Sequence, residues 1–182
     1  LKNSASRNIK VTVIGKPEVK ATEVIYITPD KSADQTYIKD KIAATATYHD
    51  GTTDKAVVPE GQITYQFNET DGEITSVDIT AWGGRGDNLS EPAHVNVIIR
   101  EIPVLTLPDI HLRKSTSYGD ENFINRVITP EDEHNEYTYL QNNLNTDYLG
   151  KYEAQYKVSD NLTGASSSPT QTIFVHGIPE II

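Results

Sequence analysis

The chain has 182 residues, 26 acidic against 16 basic side chains, a formal charge of −10, and neither cysteine nor methionine. That balance excludes the basic patch of a nucleic-acid binder, the missing cysteines exclude disulfides and Cys-based zinc sites, and no apolar run approaches the about 18 residues of a membrane span. The length admits one large domain or two small ones, and 36% apolar residues fill thin cores better than one thick core.

Strand patterns dominate in chain order. Ile9-Lys10-Val11-Thr12-Val13 alternates with period two, and so does Ile42-Ala43-Ala44-Thr45-Ala46-Thr47-Tyr48. Ile63 to Phe67, Val77 to Ala81 and Val95 to Ile99 follow, and Tyr152 to Val158 and Ile173 to Val175 continue the pattern in the second half. Alternation places one strand face on a core and the other in water. Asp50-Gly51, Asp71-Gly72, Gly83-Gly84 and the stretch Asn161 to Pro169 supply the turns. No segment sustains helical periodicity over three turns. Asn135 to Leu149, rich in Asn and Tyr, leaves room for a short helical turn. Short strands at regular spacing predict an all-β fold of sandwich or barrel type.

A repeat divides the chain. Segments ending at Pro17, Pro103 and Pro179 carry β-branched residues six and four positions upstream: Val11 and Val13, Val97 and Ile99, Ile173 and Val175. Proline cannot donate to a ladder, so it ends each strand. The expected division is 1–102 and 103–182, one small β-sandwich in each. Residues 1–16 read either as the end of a preceding repeat or as a strand ordered against the first domain. The second reading is favoured, because an orphan edge strand invites aggregation. Val104, Leu105 and Leu107 read as the first strand of the second domain, and no Gly/Ser run precedes them, which predicts a short, stiff connection. The absence of an initial methionine suggests that the chain continues before residue 1.

Tyr48-His49-Asp50-Gly51-Thr52-Thr53-Asp54, after the Ala/Thr alternation of residues 43–47, resembles the opening hairpin of bacterial immunoglobulin-like repeats. Gly86-Asp87-Asn88-Leu89-Ser90-Glu91-Pro92 resembles their closing loop. Gly150-Lys151-Tyr152 through Tyr156-Lys157-Val158-Ser159-Asp160 is similar to the Gly-x-Tyr-x-x-x-Tyr-x-Val-x-Asp signature of a sister module, with Thr129 to Glu133 at its acidic loop. Asn161-Leu162-Thr163-Gly164 departs from the Gly-Asn turn usual there. The resemblance implies two tandem immunoglobulin-like β-sandwich domains of a bacterial cell-surface protein. The packing reading stands without it: Tyr152, Ala154, Tyr156 and Val158 share one strand face. The missing cysteines agree with a bacterial extracellular source or an unstapled sandwich.

Arg85-Gly86-Asp87 lies between two predicted strands, as an integrin-binding loop does. The plainer reading is the Gly-rich hairpin that the repeat needs there. Glu131, Asp132 and Glu133, with Asp120-Glu121 and Asp160, supply carboxylates of the kind a calcium ion takes, or else form solvated acidic loops without EF-hand spacing. His49, His94, His111, His134 and His176 show no metal-ligand spacing and read as solvent-facing. No Gly-x-Ser-x-Gly elbow is present. Asn68, Asn88 and Asn161 head formal glycosylation triplets. Trp82 is expected in the core.

These observations predict a non-catalytic module of an extracellular, cell-wall-attached adhesin, acting as a stalk or as part of a ligand-binding region. No cofactor is required, and calcium is one reading of the acidic loops. Expected partners are neighbouring repeats and a host matrix protein or glycan, without nucleic acid and without membrane insertion of this stretch. The alternatives are an accessory module of a secreted carbohydrate-active enzyme, and direct integrin binding through Arg85-Gly86-Asp87.

Overall fold

The structure, a computed structural model, describes residues 15–49, 55–84, 88–125 and 132–177. Of these, 49% lie in strands and 13% in helices, so the protein is mainly β. The chain divides into two compact units, Leu1–Ile99 and Arg100–Ile182.

The first unit runs β1 (Glu18–Lys20), β2 (Val24–Ile27), α1 (Gln35–Ile42), β3 (Thr45–His49), β4 (Lys55–Val57), β5 (Ile63–Thr70), β6 (Glu73–Ala81) and β7 (Ala93–Ile99). One sheet has the order β2-β7-β6-β5 and the other β1-β3-β4. β5 and β6 join through Asp71 (φ 53°) and Gly72 (φ 85°). Two consecutive positive φ values match the right-handed twist of a hairpin, and the Asp-Gly pair tolerates them. β2 then lies parallel to β7, with Ile25 opposite Val97 and Ile27 opposite Ile99. Ile25, Ile27, Ile74, Val77, Ile79, Val95 and Val97 fill the core beneath this sheet. Ala46 and Val58 meet Ala81 from the second sheet, where small side chains let the layers approach.

α1 is absent from the sequence reading. It has only two turns, and its apolar positions Ile38 and Ile42 are a single i, i+4 pair, too few to show a period. What specifies it is its ends. The Asp34 carboxylate accepts from the Tyr37 N–H at 3.0 Å, which satisfies one orphan donor. Ala43 stops it in the left-handed region (φ 49°). Ile42, read as the first residue of a strand, is therefore the last of a helix, and the strand starts at Thr45.

The second unit runs β8 (Ile110–Arg113), α2 (Asp120–Ile124), β9 (Asn135–Asn142), β10 (Gly150–Asp160), β11 (Ser166–Ser167) and β12 (Thr170–His176). β8 lies parallel to β12, β12 antiparallel to β10, and β10 antiparallel to β9 and β11. Stripped to its main sheet, this is the first unit again: a first strand, a helix, a hairpin, and a last strand returning parallel to the first. The registers correspond too. Ile173 faces Ile110 and Val175 faces Leu112, as Val97 and Ile99 face Ile25 and Ile27. The fillings differ. Where the first unit is aliphatic, the second has an aromatic stack: Phe123 on Tyr139 at 5.4 Å and Tyr139 edge-on to Tyr156 at 5.7 Å. Buried Gln171 accepts from the Tyr156 hydroxyl at 3.1 Å and donates to the Pro108 carbonyl at 2.8 Å, so its polarity is satisfied.

Val77, Ile79, Tyr156 and Val158 are buried, as the alternation requires. Three further expectations fail. Asn135 to Asn142 is strand β9, because its alternate side chains Tyr137 and Tyr139 pack on the core and its backbone completes the edge of β10; no helix follows. Val104, Leu105 and Leu107 form no strand. Prolines at 103 and 108 each lack a ladder donor, and pairing begins only at Ile110. Trp82 is 39% exposed: Ala81 holds the inward position at the end of β6, so the next side chain turns outward and its backbone bridges Leu89. The strand at Ile9 to Val13 falls outside the described residues.

Ile79→Ala should cost about 3 kcal/mol, from lost transfer energy plus the cavity left behind. Gln66→Ala, on the exposed face of β5, should stay within about 0.5 kcal/mol. Urea unfolding of the two variants checks this, and equal losses would overturn the core assignment.

Candidate functional site

Asp160 ends β10 and is 1% exposed. A carboxylate taken from water to that depth needs full hydrogen bonding, and the following turn supplies it. Leu162 N–H donates at 3.2 Å and the Thr163 hydroxyl at 2.7 Å, while Gly164, at φ 76°, brings its own N–H to the Asp160 carbonyl at 2.8 Å. This is how the Asn161-Leu162-Thr163-Gly164 sequence makes the turn: the left-handed position falls at Gly164. Arg100 completes the shell. Its Nε donates to Asp160 Oδ2 at 3.0 Å and its Nη2 to Asp132 Oδ2 at 2.6 Å. Asp132 is fixed in turn by the His134 N–H, at 2.9 Å.

Both carboxyls lie below the ordinary 3.8. For Asp160, burial pushes the value up, but the hydrogen bonds from Arg100, Thr163 and Leu162 and the guanidinium charge together outweigh it. For Asp132, the His134 N–H lowers it most and Arg100 next. The structure thus brings together two of the six acidic residues singled out for calcium, Asp132 and Asp160, and sets a guanidinium between them. A calcium ion would have to displace Arg100 to reach Asp132 Oδ2 or Asp160 Oδ2. Glu133 faces solvent, 88% exposed and 3.8 Å from His134 Nε2. Glu131 lies outside the described residues, and among those described no three metal-ligating carboxylates or histidines cluster.

Arg85-Gly86-Asp87 also lies outside the described residues, but the base of its loop is tied down. Gly83 N–H donates to the Asn88 carbonyl at 2.8 Å, and the Asn88 amide reaches the Gly15 carbonyl at 3.0 Å. Ser90 Oγ accepts from Ala81 N–H at 2.9 Å. The Asn88 amide fills the space a side chain at Gly83 would need, which explains the glycine there.

A third feature had no signal in the sequence pattern. In the first unit, an open groove of about 640 Å³ lies between the end of α1, β3, β4 and the start of β5. Ala46, Val58 and Ile63 form its apolar lining, and Val57, 74% exposed, stands at its rim. β4 and β5 are the last strands of their sheets among the described residues. Lys39 Nζ pairs with Glu60 Oε1 at 3.0 Å and sits 5.2 Å from the centre of the Tyr65 ring. Desolvation raises the Tyr65 hydroxyl and Glu60 raises Lys39. An aromatic face beside a cation and a carboxylate suits a ligand with one apolar face and several hydroxyl or amide groups.

No family model and no curated protein sequence matches this chain.

Asp160→Ala should cost about 3 kcal/mol, because it leaves the largely buried Arg100 without its main partner. A folded carboxylate lower than its unfolded value stabilises above the unfolded value and loses that contribution as pH falls through the folded one. Guanidinium unfolding from pH 7 down to pH 2 should therefore show the wild-type advantage over Asp160→Ala intact above about pH 4 and shrinking below it. A constant difference across that range would refute the assignment.

Proposed function

We propose that this chain is a non-catalytic module of a bacterial cell-surface adhesin, built of two tandem immunoglobulin-like domains and serving as a stalk or as part of its ligand-binding region. The observation that carries this reading is the recurrence, in the main sheets of two successive compact units, of one strand order closed by parallel pairing of the sheet's first and last strands. Consecutive copies of one small β unit are the build of arrays that display a surface or supply reach. The motif resemblances at Tyr48-His49-Asp50-Gly51-Thr52 and Gly150-Lys151-Tyr152 add to it.

Replacement separates the two roles. In the native surface protein, residues 1–182 are exchanged for an unrelated β-sandwich pair of equal length. A spacer role predicts attachment restored to the wild-type level. A binding role predicts attachment lost, with the isolated fragment retaining affinity for one matrix protein or glycan and Tyr65→Ala weakening it at least about tenfold. Attachment unaffected by deleting the whole segment would sink both, and glycan turnover by the full-length chain would favour the accessory-module alternative.

The Arg85-Gly86-Asp87 loop is read as the structural hairpin of the module. Asp87→Glu, which moves the carboxylate by one methylene, should leave cell attachment unchanged. A clear loss of integrin-dependent adhesion would assign the loop to receptor binding instead.

A further inference from the structure

His111 and His176 are far apart in sequence and both exposed, and the register of β8 on β12 brings them together. His111 is opposite Phe174, and His176 is opposite Arg113, so the imidazoles are diagonal neighbours on the outer face of the sheet. His111 Nδ1 lies 2.8 Å from His176 Nε2. The ring centres are 5.1 Å apart and the planes differ by 13°. That separation is about the N···N distance plus the two ring radii, so the rings meet end to end, nitrogen to nitrogen, and not face to face. One nitrogen donates the single shared proton and the other accepts it. Phe174 flanks both rings, 5.2 Å from His111 and 6.1 Å from His176.

We propose that His111 and His176 form a two-histidine chelate for a borderline divalent transition ion, of the copper, nickel or zinc type. Two convergent imidazole nitrogens are the donor set these ions prefer, while calcium and magnesium take oxygen. Nitrogens about 2.0–2.1 Å from a tetrahedral ion lie about 3.3 Å from each other, so the pair opens by about half an ångström, and each ring swings by about 35° off the N···N line to aim its lone pair at the ion, a rotation open to exposed side chains. The ring that donates in the free protein carries its proton on the outer nitrogen once its inner one binds metal. This is an exchange of tautomers through water, with no net proton lost from the neutral pair. The remaining coordination positions face solvent and take water or a donor from a second molecule. Arg113 and Lys151 share this face by register, opposite His176 and Phe174. Their charge disfavours ions held by electrostatics alone and leaves those bonded directly to imidazole nitrogen. This inference is independent of the adhesin reading.

The test is titration of tag-free protein with CuCl2 and ZnCl2 by calorimetry, with imidazole resonances followed by NMR for the diamagnetic zinc. One equivalent of each ion should bind, copper more tightly than zinc, with His111 and His176 shifting together. His111→Gln and His176→Gln should each weaken binding about a hundredfold, the gain a tethered second ligand provides. His94→Gln, whose native Nδ1 is held by Asp78 at 2.8 Å, should leave binding unchanged. CaCl2 and MgCl2 should move neither resonance. Absence of binding at millimolar metal, binding that survives both glutamine variants, or equal binding of calcium would each overturn the proposal. The NMR spectra of the variants show directly whether they remain folded.

Discussion

Each unit depends on one constraint: the last strand of its main sheet must return parallel to that sheet's first strand. In the first unit Ile25 meets Val97, and in the second Ile110 meets Ile173. A parallel pair cannot be joined by a tight turn, so everything between the two strands acts as their crossover. The helix and hairpin in each unit occupy that crossover. They also cover the apolar face that the paired strands present, with Ile38 in the first unit and Phe123 in the second. The closure is non-local, and its loop entropy is lost before the contacts repay it. Mostly β-branched inward side chains at the closing strands fit this demand, since such a residue packs on a pleated surface with little rotamer freedom left to lose.

The same frame carries two different cores. Positions related by the strand registers hold Val77 and Ile79 in one unit, and Ala154 and Tyr156 in the other. Tyr156 brings a hydroxyl into the interior, and buried Gln171, where the first unit has Val95, answers it. Removing either polar partner alone would take a buried hydrogen bond from the other, whereas the pair together is satisfied. The aromatic stack and the Tyr-Gln pair are therefore one solution, and the aliphatic core is another, to the same backbone problem. This is why the Pro-anchored spacing exposes the repeat more clearly than residue identity does.

What the sequence made legible follows from period two. Alternation located β5, β6, β7, β10 and β12 and their inward residues, and the Asp71-Gly72 turn was readable because its backbone restricts the residues allowed. α1 was not legible, because two turns carry one apolar pair and its specification lies in Asp34 and Ala43. β8 was misplaced to Val104–Leu107 because apolar content there serves packing of Leu105, not pairing. Of the acidic residues, proximity in sequence was misleading. Asp132 and Asp160 converge while Glu133, next to Asp132, faces away. The partner that joins them, Arg100, is the first residue of the second unit and precedes its first strand, where pattern arguments assign no role.

The outward faces show why site chemistry is harder to read than fold. Alternation fixes which residues point in and leaves the others free to vary, so an outward histidine carries no periodic signal. Its neighbours are set by register, and register is set by the inward residues. Ile110 facing Ile173 and Leu112 facing Val175 place His111 diagonal to His176. A slip of one residue would turn the inward set to solvent and is forbidden by the core. A slip of two would preserve the core pattern but carry the two imidazoles apart or past each other. The buried contacts of β8 and β12 therefore decide, to the residue, what chemistry their exposed faces can assemble.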